Sequence, residues 1–121
     1  MNFDDAVAAH LQWKVKFRTA LTTGAALDAS AVAKDNVCPI GQWLHGEAKA
    51  KYGKLVNYHQ CVSAHAAFHR EAGRVAQWVN QKDVAKATAA LDTQSPFTSA
   101  SQAAVVAIQK LKKDLSASHA A

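Results

Sequence analysis

The sequence predicts an all-α fold: an antiparallel four-helix bundle with an additional short helix that begins at Cys38. Alanine is abundant, whereas glycine and proline number only 5 and 2 of 121 residues, a composition that favours helix. Val, Ile and Thr are not clustered, as strands would require. Apolar side chains recur at steps of three and four over long windows, which is the period of a buried helical stripe. The length bounds the chain to one domain over residues 1–121 with a single core.

The first helix is expected from about Asp4 to Thr22, with Asp4 and Asp5 at the positive end of its dipole. Phe3, Ala6, His10, Trp13, Phe17 and Leu21 form its buried stripe, and His10 lies within it. Gly24 suits the position just past the helix end, and Ala25 to Asn36 reads as a connector with one helical turn after Asp28. Pro39 fits the first position of a short helix, which makes Cys38 its N-cap residue, and Gly46 ends it. Glu47 to Tyr52 is a further short piece closed by Gly53. The strongest periodicity is Leu55, Tyr58, Val62, His65, His69, Ala72, Ala76 and Val79, which turns both histidines to the core. Asp83 caps a fourth helix through Leu91. Ser95-Pro96 caps the last, whose inner face is Phe97, Ala104, Ile108, Leu111 and Leu115. Lys110, Lys112 and Lys113 are placed near its C-terminal end, where the dipole favours cations.

Charge and cysteine content narrow the function. The formal net charge is +5, but the basic residues are spread over every helix rather than gathered into a stripe, so no nucleic-acid partner is expected. No run of about 18 apolar residues exists, so no membrane insertion is expected. The acids at the N-terminus are unlike a secretory signal, and a cytoplasmic location is expected. Cys38 and Cys61 are too few for a disulfide framework and are read as reduced thiols.

Four residues point to chemistry: His10, Cys38, His65 and His69. The i, i+4 spacing of His65 and His69 puts both rings on one helix face. Any one of them has a plain explanation as a hydrogen-bonded core residue. Three inward imidazoles, however, must satisfy six ring nitrogens, and a metal satisfies one from each ring at once. Zinc does so with tetrahedral mixed N/S coordination and no carboxylate-rich shell. Cys38, as an N-cap beside a divalent cation, is placed to ionise. Cys61 is the rival sulfur. It forms an i, i+4, i+8 row with the two histidines, and at about 1.5 Å per residue its end members lie roughly 12 Å apart, too far to share one ion. His45 fits the negative end of its helix, His59 faces away from the stripe, and His119 lies in a small-residue tail. Trp13 is close enough to His10 to shelter the site.

These blocks resemble a known family, the chemoreceptor zinc-binding domain. The carriers are His10 followed by Trp13-Lys14, then Cys38-Pro39-Ile40-Gly41-Gln42-Trp43, then His65-x-x-x-His69 with Phe68 inside. The resemblance implies a cytoplasmic four-helix bundle that binds Zn²⁺ through those three histidines and one cysteine. It also implies a homodimer attached to a chemoreceptor or diguanylate cyclase module, responding to zinc or to hypochlorous acid through the zinc-bound cysteine. No coiled-coil signalling region or cyclase sequence accompanies the domain in these residues, and Cys61 is an addition to the pattern. Two other readings stand beside this one. A bundle enzyme, hydrolase or di-iron, would need an open metal position or several inward glutamates, and neither is visible, so no catalytic residue is expected. A purely structural zinc-stapled dimerisation module would use the same ligands.

Overall fold

The computed structural model describes residues 1–120, with side chains through Ser116. Seven helices make up the described residues, without a strand: α1 (Phe3–Thr23), α2 (Ala29–Ala33), α3 (Pro39–His45), α4 (Glu47–Tyr52), α5 (Val56–Asn80), α6 (Val84–Ala90) and α7 (Pro96–Ala120). The all-α bundle is therefore present. Three long helices, α1, α5 and α7, pack against one another, and the short helices complete the walls. α5 is the axis of the arrangement, since it packs against each of the other six.

Local chemistry sets the ends. The Asn2 side chain accepts from the Asp5 N–H at 2.9 Å, Asp28 from Ala31 at 3.1 Å, Asp83 from Lys86 at 3.1 Å and Ser95 from Thr98 at 3.0 Å. Each such cap is worth about 1 kcal/mol. Gly24 closes α1 in the left-handed region at φ 75°, a conformation open to glycine at little cost. Pro39 opens α3 with Cys38 as N-cap.

The core divides into two clusters. One gathers Phe17, Phe68, Val75 and Phe97 toward one end, and the other gathers Ile40, Leu44, Tyr58, Cys61, Ile108 and Leu111 toward the opposite end. α1 and α5 run through both. On α1, His10 lies between Ala6 of the second cluster and Phe17 of the first; on α5, His65 lies between Cys61 and Phe68. The polar rings thus sit at the seam.

Two expectations shift. Leu55 is 37 % exposed because it is the N-cap ahead of α5 rather than part of its buried face. α7 continues to Ala120, so Lys110 to Lys113 stand well inside it, and Lys112 reaches the Asp4 carboxylate at 2.9 Å instead of a helix end. The expectation for His119 lies outside the described side chains.

Candidate metal centre

Each donor arrives on a separately explained element. α1 presents His10 from its buried stripe, and α5 presents His65 and His69 one turn apart. Cys38 is carried by the connector into α3, and that connector crosses α3 where an ideal Cβ on Gly41 would lie 1.8 Å from the Asp35 carbonyl oxygen. α2 approaches α5 closely at Gly73, where a Cβ would lie 2.6 Å from that of Ala33. Glycine at both crossings is a steric requirement.

The four side chains converge. Nε2 of His65 is 3.1 Å from Nε2 of His10, 3.1 Å from Nε2 of His69 and 3.2 Å from Sγ of Cys38; Sγ is 3.6 Å from Nε2 of His69. One ligand atom from each lies within 4.8 Å of every other. A tetrahedron with zinc bond lengths has N···N edges of about 3.3 Å and N···S edges of about 3.6 Å. Four of the six edges agree to within a few tenths of an ångström and the two from His10 to His69 and to Cys38 stay within 4.8 Å, so the donor set fits a zinc ion.

The backbone fixes which nitrogen faces inward. Nδ1 of His10 donates to the Ala6 carbonyl at 2.7 Å, and Nδ1 of His69 donates to the Val32 carbonyl at 2.8 Å. A carbonyl can only accept, so both Nε2 atoms are bare lone pairs in the neutral rings. His65 differs, because its Nδ1 is buried without a partner. Leaving such a group unpaired costs about 1–3 kcal/mol, a cost that a cation shared by the three Nε2 atoms would offset.

Electrostatics suits the same ion. Burial pushes the pKa of His65 down to about 3, with further lowering by its histidine neighbours. Burial also lowers His10 and His69, so all three rings are neutral at pH 7, the state a metal requires. Burial raises the Cys38 thiol, opposed by the Gly41 N–H at the start of α3. Cys38 is the one donor residue that is only half-buried, and with His10 it borders a cleft of about 390 Å³ at Ala6, Ala9, Pro39 and Ile40.

The matching stretch of the chain is the part that carries these donors: residues 10–76 fit the model of the chemoreceptor zinc-binding domain. The chain belongs to that family. No curated protein and no solved structure matches it. As a chemoreceptor zinc-binding domain it has the zinc chemistry expected from its sequence, with a histidine and cysteine cluster suited to the metal.

The other expected residues separate cleanly from the centre. Cys61 is fully buried in the second cluster, its thiol pushed up to about 11 by burial, and it is not among the converging donors. His59 bonds the Gly53 carbonyl at 2.6 Å, and His45 bonds Asp35 at 2.9 Å. The ring over the centre is Phe68, 5.0 Å from His10 and 5.2 Å from His69 between centroids; Trp13, expected there, packs instead on Phe17. Sequence reasoning also missed the Val32 carbonyl and Asp35. Only the Asp-x-x-Cys spacing of Asp35 and Cys38 could have hinted at either.

Proposed function

We propose that His10, Cys38, His65 and His69 hold one zinc ion, and that the domain, residues 1–121, is a cytoplasmic regulatory module. Its output would go to a chemotaxis or cyclic-di-GMP signalling partner, with no catalysis of its own. The observation that carries this reading is the convergence of three imidazole Nε2 atoms and one thiol in a buried seam. Among the described residues no helix is long and apolar enough to cross a membrane, and no carboxylate joins the cluster. This favours a closed centre over a hydrolase or di-iron site.

Zinc, when bound, keeps the Cys38 sulfur as a thiolate at neutral pH. Because each neutral imidazole already has a free lone pair while the thiol still carries its proton, binding releases about one proton. Apparent zinc affinity is therefore expected to rise about tenfold per pH unit from roughly pH 6 to 8. Chelator competition at two pH values measures it, and a flat profile would remove the sulfur from the ligand set.

The cleft beside the half-buried Cys38 favours a switching role over a plain staple. Its sulfur can take up the hydroxyl of hypochlorous acid and release chloride, leaving a sulfenic acid that is a poorer donor. The short α3 then loses its tether while α1 and α5 keep their histidines. Hydrogen exchange after stoichiometric oxidant should lose protection first at residues 37–46. Uniform loss, or the same response in Cys38→Ala, would leave zinc as a staple. Homodimerisation rests on the family pattern and on exposed apolar residues of α1, Leu11 and Val15, and light scattering on the same samples gives the mass before and after oxidant.

A further inference from the structure

Asp35 lies outside the donor set yet is built into the same corner of the fold. It belongs to the connector between α2 and α3, three residues ahead of Cys38. Its carbonyl oxygen rests on α3 at Gly41, and its side chain reaches one turn further along the same face, where Oδ2 meets Nε2 of His45 at 2.9 Å. Gly41 and His45 are i, i+4 neighbours, so a single face of α3 holds both the backbone and the carboxylate of Asp35. The pair is only partly open to water, with the Asp35 side chain 27 % exposed and that of His45 42 %.

The carboxylate also belongs to the segment that delivers a donor, since Asp35 stands three residues ahead of Cys38 on the connector that settles on α3 at Gly41. Three neutral imidazoles and one thiolate around a divalent cation leave a net charge of about +1 in a buried place. An anion just outside the donors offsets that charge without occupying a coordination position, and partners of this kind typically change metal affinity by about 10–100-fold.

We propose that Asp35, held by His45 across Gly41, is a positioning residue of the zinc centre: it balances the centre's charge and fixes the connector that presents Cys38. This rests on the four-donor zinc reading above. It assigns His45, read from sequence only as a favourable helix-end charge, the part of a latch.

Charge and latch separate by substitution. Asp35→Asn keeps the shape and a hydrogen bond to His45 but removes the charge; Asp35→Glu keeps the charge; His45→Ala keeps the charge and removes the latch. Zinc release from the full chain to excess chelator is expected to be about tenfold faster or more in Asp35→Asn. In Asp35→Glu it should stay within a few-fold of wild type. His45→Ala should give a smaller acceleration, together with faster amide exchange at residues 34–38 in the zinc-free protein, a readout independent of the metal. Asp35→Asn and Asp35→Glu releasing zinc at the wild-type rate would overturn the charge role, and unchanged exchange in His45→Ala would overturn the latch. A wild-type chain that takes up no zinc in the same assay would instead overturn the four-donor reading and this inference with it.

Discussion

Replacing Cys38 with alanine is expected to lower zinc affinity by at least about a hundredfold, while Cys61→Ala keeps one zinc per chain. The asymmetry follows from placement. Sγ of Cys38 is 3.2 and 3.6 Å from two imidazole nitrogens, whereas Cys61 is sealed in the second core cluster. Without Cys38 the metal is left with three neutral donors and loses its one anionic ligand, which offsets much of its charge and its desolvation. The fold should survive, because α3 remains anchored by Ile40 and Leu44, both fully buried or nearly so. Cys61→Ala leaves a small apolar void and costs about 1 kcal/mol of stability with the metal untouched. Elemental analysis of both purified variants, with circular dichroism as the check on folding, decides the matter. Metal retained by Cys38→Ala and lost by Cys61→Ala would reverse the ligand assignment.

Gly41→Ala is expected to be the most damaging single methyl group in the chain. Its Cβ would stand 1.8 Å from the Asp35 carbonyl oxygen and 3.2 Å from the Asn36 Cα, and both obstacles are backbone. No rotamer change relieves such a contact, so the connector must lift off α3, at a cost of about 2–3 kcal/mol. Cys38 rides on that connector, and zinc affinity should fall with stability. Gly24 gives the contrast. It has φ 75° but nothing within 4 Å of an added Cβ, so Gly24→Ala should cost about 1 kcal/mol through backbone strain alone and leave zinc binding unchanged. Urea unfolding of the two variants separates the cases, and a Gly41→Ala protein within about 0.5 kcal/mol of wild type would mean that the connector yields freely.

Much of this centre was legible in the chain. The stripes through His10 and through His65 and His69 are periodic, so their inward orientation could be read directly, and Pro39 announced the helix that Cys38 caps. What could not be read depends on close approaches between segments without a period of their own. The Val32 carbonyl meets His69 only because Gly73 lets α2 settle on α5. Asp35 reaches His45 only because Gly41 lets the connector cross α3. Phe68 displaces Trp13 as the ring over the site because it sits on the histidine helix itself and stacks toward Phe97. The helix expected from the Asp83 cap through Leu91 is α6, Val84–Ala90, with Asp83 as its N-cap and Leu91 as its C-cap.

The seam between the two core clusters has a mechanical consequence. α1 and α5 pass from the second cluster to the first at the level of His10 and His65, so polar rings interrupt the apolar packing of both helices there. An ion shared by those rings would join α1 to α5 at the place where the apolar contact between them is interrupted, and its loss is expected to loosen that joint while each cluster keeps its own packing.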